Sequence, residues 1–206
     1  MLERFRQFWT NLFKPISHGL IKLGVSPDAV TIVGTIGVVV GALGFFPRGE
    51  LLIGVIVITV FVFSDMIDGY MARTLGVSSK WGSFLDSTLD RIGDAAIFAG
   101  LAIWLFQGGD NEVLAYVALW CLVMGSVTSY ARAKAESLGM QAKGGIAERS
   151  DRLVAVLVMT GLSDMLDVPF LLTLVLWVLA VASTITVVQR MVLVRRQALA
   201  DPALPS

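Results

Sequence analysis

Asp65 and Asp68 stand in the run Asp65-Met-Ile-Asp68-Gly69-Tyr-Met-Ala72-Arg73, and Asp86 and Asp90 close the run Gly82-Ser-Phe-Leu-Asp86-Ser-Thr-Leu-Asp90. Spacings of three and four put each pair on one face of a helix, and a short loop lets two helices turn those faces together. Four converging carboxylates repel one another unless they are protonated or balanced by cations. A single cysteine, Cys121, and a single histidine, His18, exclude the usual zinc ligand sets. Oxygen-only ligands suit hard cations: Mg²⁺, Mn²⁺ or Ca²⁺. Two divalent ions would balance the charge and clamp a phosphate for in-line displacement. Gly69 and Gly82 let backbone or ligand approach closely. Arg73 either pairs with an aspartate or holds a phosphate bidentately. Asp94, one turn past Asp90, is either functional or a structural partner for a basic residue.

The elements that must carry these residues read as membrane helices. Of the 206 residues 56% are apolar and 16% are charged, and the net charge is zero. Zero net charge gives no bulk attraction to a nucleic acid polymer. Apolar runs long enough for the bilayer recur along the chain. Six spans are expected, near Val30–Phe46, Leu51–Arg73, Gly82–Phe106, Val113–Glu136, Asp151–Leu166 and Pro169–Arg190. The chain therefore reads as one all-α integral membrane domain over 1–206, with a juxtamembrane segment at 1–25 and a six-helix bundle at 26–196. Met1–Lys14 is not a secretory signal: Leu2, Phe5, Phe8, Trp9, Leu12 and Phe13 recur at helical spacing among Arg4, Arg6 and Lys14. That pattern predicts an amphipathic helix in the membrane interface. Ser26 before Pro27 is an N-cap signal for the first span. Gly34, Gly37, Gly41, Gly44 and Gly54 predict close helix packing.

With those spans, Arg48 alone of the 16 basic residues lies on one side of the bilayer. The positive-inside rule makes the other side cytoplasmic, with both termini on it. The aspartates fall at that same face, so the site should open to the cytoplasm of a multi-pass plasma-membrane protein.

The pattern D-x2-D-G-x2-A-R-x8-G-x3-D-x3-D is matched at every position by Asp65, Asp68, Gly69, Ala72, Arg73, Gly82, Asp86 and Asp90. In this the chain resembles the CDP-alcohol phosphotransferases, membrane enzymes of phospholipid biosynthesis. They move a substituted phosphate from a CDP-linked donor, usually CDP-diacylglycerol, to an acceptor hydroxyl and release CMP. The resemblance implies that Asp65, Asp68 and Asp86 ligate two divalent ions, Mg²⁺ or Mn²⁺, with Asp90 beside the second. It implies that Asp90 is the general base, and that Gly69 and Arg73 contact the CDP moiety. The element Pro27-Asp28-Ala29-Val30-Thr31 would line the cytidine pocket, and Ser79 is a further candidate for the nucleotide. A homodimer is expected from the family.

The acceptor is sought between the fourth and fifth spans, where Ser129, Arg132, Lys134 and Arg152 gather, with Arg195 joining from the sixth. Several cations facing an acidic metal site suit an anionic, phosphorylated polyol. The pattern resembles that of the actinobacterial phosphatidylinositol phosphate synthases, which implies inositol 1-phosphate as acceptor. Phosphatidylglycerophosphate synthesis from glycerol 3-phosphate is the alternative within the family. Outside it, intramembrane carboxylates also build divalent-ion transporters, although this chain shows no internal repeat.

Overall fold

The computed structural model describes residues 14–77 and 79–200, and among them the only regular structure is helical. The interfacial helix expected over Met1–Lys14 falls on residues 1–13, outside the described residues. A helix over residues 14–22, α1, ends in a turn where Gly24 adopts φ 75°. Ser26 then accepts a hydrogen bond from the Ala29 N–H at 3.2 Å and caps α2, Pro27–Phe45, with proline in the first turn as expected. A 3-10 turn, Phe46–Arg48, leads to α3, Leu51–Val62, and α4, Ser64–Leu75. α5 is Lys80–Gln107, α6 Glu112–Ser137, α7 Arg149–Met165 and α8 Phe170–Ala200.

Four stretches have the length and composition to cross a membrane: Pro27–Arg48, Leu51–Leu75, Glu112–Ser137 and Phe170–Ala200. α5 is long enough at 28 residues, but it carries Lys80, Asp86, Asp90, Arg91 and Asp94 toward its N-terminal end. α7 has 17 residues, at the lower end of the ~17–25 a span needs. These two helices depart from the composition of the six expected spans because they carry the site. The second expected span is also not one helix. It is interrupted at Phe63, between Val62 and Ser64, so a new helix, α4, begins just before Asp65.

α2 packs against α3, α4 and α5; α6 packs against α5 and α8; α7 packs against α3 and α8. Val38, Ala42, Phe46, Ile58, Ile97, Leu101 and Leu105 form the centre of the buried core. Outward faces remain apolar, as on α2 (Ile32, Val33, Ile36, Val40) and α8 (Trp177, Val178, Val181). Such faces suit hydrocarbon rather than water. Of the expected packing glycines, Gly34 and Gly37 meet α3 and α4: a side chain at Gly34 would strike Ser64. Gly44 does not serve this role, since its nearest atom is on Val40 of its own helix.

Gly100 of α5, which the sequence reading passed over, is the tightest backbone approach. A Cβ there would lie 2.6 Å from the Ala42 carbonyl oxygen, so a substitution must push α2 and α5 apart. Gly100→Ala is therefore expected to destabilise the protein by about 1–3 kcal/mol. Thermal unfolding in detergent would show a Tm lowered by several degrees; an unchanged Tm would refute the close approach.

Candidate active site

α4 carries Asp65 and Asp68 and α5 carries Asp86, Asp90 and Asp94, with the two helices joined by the short loop around Val77 and Ser79. Ser79 caps α5, its hydroxyl accepting from the Gly82 N–H at 3.0 Å. Asp65, Asp68 and Asp86 each present a carboxylate oxygen within 4.8 Å of the other two. Three hard oxygen ligands so close fit a divalent cation, which would also relieve their repulsion. The expectation that these three form a metal cluster thus has its geometry, with Asp90 set apart from it.

Asp90 lies beside two cations instead. Its Oδ1 is 2.9 Å from Arg149 Nη2, and its Oδ2 is 3.4 Å from Arg91 Nη2. Arg149 also reaches Asp94, with Nε at 3.0 Å from Oδ1 and 3.2 Å from Oδ2. This answers the question left open for Asp94: it pairs with Arg149, and at a longer 3.9 Å with Arg91.

Asp68 is buried, and the Thr31 hydroxyl donates to its Oδ2 at 2.6 Å. Asp28, from the same turn of α2, accepts from the Trp81 indole N–H at 3.0 Å. The Pro27–Thr31 element is thus fastened to both halves of the motif, to α4 through Thr31 and to α5 through Asp28. Arg73 has no ion pair among the described residues. Its guanidinium lies over Gly69, where a Cβ would be 3.4 Å from Nη1, so glycine leaves it room. The pairing with an aspartate is thus not seen among the described residues.

A cavity of about 910 Å³ joins these groups. Pro27, Asp28, Thr31, Gly69, Arg73 and Ser79 line it, as do Asp65, Asp68, Asp86, Asp90 and Arg149. Ala29 and Val30, also expected in the nucleotide pocket, are not among its lining residues. Ile21 and Gly24 extend the wall, and His18 rests on Tyr70 with ring centroids 5.9 Å apart, so α1 closes one side.

The expected acceptor residues do not form one cluster. Arg152 is buried, donating from Nη1 to the Ala147 carbonyl at 3.2 Å. Ser129 donates to the Gly125 carbonyl at 3.2 Å, on the same stretch of α6 that Arg152 lies against. Arg132 pairs with Glu136 at 3.0 Å, and Lys134 and Arg195 are exposed. Five residues along a helix rotate Arg195 about 140° from Arg190, onto a different face. Arg190 is the α8 cation that turns inward: it is buried, donating to the Thr128 carbonyl at 2.7 Å and the Gly144 carbonyl at 3.2 Å. Arg152 lies within electrostatic range of Arg91, Arg149 and Arg190. Arg149 and Arg190 were the sequence reading's omissions. The signal for Arg149 was Glu148 three residues before Asp151, a capping pattern that starts α7 at Arg149. Asp151 Oδ2 indeed accepts from the Glu148 N–H at 3.3 Å.

The sequence matches the family model for CDP-alcohol phosphatidyltransferases over residues 24–147, which contains every motif residue. The chain belongs to this family. It is 52% identical over 204 residues to a phosphatidylinositol phosphate synthase of Streptomyces avermitilis, covering 96% of this chain and 84% of the relative. The enzyme of that name from Cutibacterium acnes is 53% identical over 205 residues, covering 95% and 98%. Among solved structures, phosphatidylinositol phosphate synthase of Mycobacterium tuberculosis with CDP-DAG bound superposes with a TM-score of 0.88 at 42% identity, covering 95% of this chain and 98% of that one. A second crystal structure of that enzyme, in complex with manganese and citrate, has a TM-score of 0.87 at 43% identity, covering 94% and 92%. Membership places the chain among the transferases rather than the ion transporters that its carboxylates alone also allowed.

Removing the Thr31 hydroxyl would leave the buried Asp68 carboxylate free to turn away from Asp65 and Asp86. Thr31→Val is expected to weaken Mn²⁺ binding about 10–100-fold. Calorimetric titration of the detergent-solubilised protein measures it, and undiminished affinity would refute the role given to Thr31.

Proposed function

We propose that the chain makes phosphatidylinositol phosphate from CDP-diacylglycerol and inositol 1-phosphate, releasing CMP. The observation that carries this reading is a three-carboxylate cluster that opens into the same cavity as Arg73, Asp28 and Thr31. The relatives that share this sequence at about half its positions, all named phosphatidylinositol phosphate synthase, support the choice of acceptor.

The donor's nucleotide lies along Pro27, Asp28, Thr31 and Ser79, with Gly69 giving its diphosphate close access to α4. Arg73 holds a phosphate oxygen there by a charge-assisted hydrogen bond. Asp65, Asp68 and Asp86 hold divalent metal, Mg²⁺ or Mn²⁺, with two ions per site as the full charge balance. When bound, the metal neutralises phosphate charge and polarises the phosphoryl oxygen. Asp90 takes the proton of the inositol hydroxyl. The freed oxygen bonds to the phosphorus bearing diacylglycerol, and the bond from that phosphorus to CMP breaks, its electron pair leaving with CMP. The acceptor's own phosphate is held by the inward-turned Arg152 and Arg190. Six crossings, with α5 and α7 completing the set, put this chemistry on the cytoplasmic face of the plasma membrane. The protein works as a homodimer.

Asp90→Asn is expected to abolish CMP release while CDP-diacylglycerol still binds, because only the base is lost; retained turnover would sink the assignment. Thin-layer analysis of products from labelled inositol 1-phosphate against labelled glycerol 3-phosphate tests the acceptor. The expected product is phosphatidylinositol phosphate, and phosphatidylglycerophosphate alone would transfer the chain to the alternative synthesis.

A further inference from the structure

Asp86, Asp90 and Asp94 recur every four residues along α5 and form one stripe, drifting about 40° per step. The stripe passes from the large cavity into a crevice between α2, α5 and α7. Asp86 lines the cavity, Asp94 the crevice, and Asp90 both. Arg149, the first residue of α7, also lines both spaces. Its guanidinium spans the stripe through two neighbouring nitrogens. Nε sits on Asp94 at 3.0 and 3.2 Å, and Nη2 sits on Asp90 Oδ1 at 2.9 Å. A planar fork held by two carboxylates has little freedom to swing. Arg91 adds longer contacts to the same two carboxylates, at 3.4 and 3.9 Å. Two carboxylates and two guanidiniums make a neutral group beside Asp65, which lines both spaces as well.

We propose that Arg149, anchored by Asp94, is the positioning residue that aims the Asp90 carboxylate at the acceptor hydroxyl. It engages Oδ1 at 2.9 Å while Arg91 stands 3.4 Å from Oδ2, so the carboxylate is held in one orientation at the cavity wall. Asp94 then acts at one remove, through Arg149, and touches no substrate. This rests on the assignment of Asp90 as base.

Steady-state kinetics on purified Arg149→Met, Arg149→Lys, Asp94→Asn and the Asp94→Asn/Arg149→Met double variant test it, with calorimetric donor binding alongside. Arg149→Met is expected to lower kcat about 10–100-fold, as loss of an orienting partner does. KM for inositol 1-phosphate and the affinity for CDP-diacylglycerol should stay within about twofold. Arg149→Lys should recover part of kcat, because an ammonium can hold one carboxylate but not bridge two. The double variant should be no slower than Arg149→Met, since the two residues act through one contact. Should Arg149→Met not fold, Arg149→Lys and Asp94→Asn carry the test, each expected to lower kcat at unchanged donor affinity. A normal kcat in Arg149→Met, a rise confined to KM for inositol 1-phosphate, or multiplicative losses in the double variant would each overturn the proposal. Asp90→Asn separates the failures. If it is inactive while Arg149→Met is fully active, only the positioning role falls. If Asp90→Asn is itself active, the base assignment falls and the positioning role with it.

Discussion

Asp65, Asp68, Asp86, Asp90 and Asp94 crowd the facing stretches of α4 and α5, and their mutual repulsion grows as water is excluded. Much of the surrounding architecture answers that repulsion. α7 begins where its first residue, Arg149, can lie between Asp90 and Asp94. α2 begins where Thr31 can donate to the most buried of the five, Asp68. The charge that remains is concentrated on Asp65, Asp68 and Asp86, whose oxygens are too close to stay bare and well placed for a hard cation. The protein thus separates its carboxylates into two groups by what neutralises them. One group is balanced by its own arginines, and the other is kept for metal.

The division depends on backbone that is not simply helical. The helix is interrupted only at Phe63, between α3 and α4, two residues before Asp65. Close approaches hold that geometry from the α2 side. Gly34 admits Ser64 at the start of α4, and Gly100 brings α5 onto the Ala42 carbonyl. At the other end of α3, Asp164 of α7 accepts from the Leu52 N–H at 2.9 Å, satisfying a first-turn donor that no cap within α3 serves. The short contacts that position the chemistry are therefore between helices, not within them.

Function follows from the distance of each charge to its partner more than from the number of charges. Arg73 is a poor structural residue here, since no aspartate among the described residues holds it, and that freedom suits it to a ligand phosphate. Arg152 and Arg190 are the reverse: Arg152 already donates to the Ala147 carbonyl just before α7, Arg190 to the carbonyls of Thr128 in α6 and Gly144 in the loop, and their remaining donors are held in fixed directions. A preset cation costs less reorganisation on binding a phosphate than an exposed lysine does. Lys134 and Arg195, exposed on the surface, lack that preparation.

The metal-bearing part of the site was readable from the chain because it is local. Residues three and four apart on a helix must share a face, and Asp65, Asp68 and Asp86 need only one short loop to meet. The caps at Ser26 and Ser79 are local for the same reason, and long apolar runs announce a membrane solvent wherever they fold. The helix break at Phe63 was hidden, because an uninterrupted apolar run carries no punctuation. The acceptor side was only partly readable. Basic residues along α7 and α8 look alike in sequence, and their worth depends on which carboxylates and carbonyls they meet across distances of 46 to 62 residues. Composition and periodicity settled what kind of solvent and what kind of ion this chain can meet. Packing alone decided that Arg149 answers Asp90 and Asp94, that Arg190 rather than Arg195 turns inward, and that Thr31 holds Asp68, because those pairings exist only once separate helices touch.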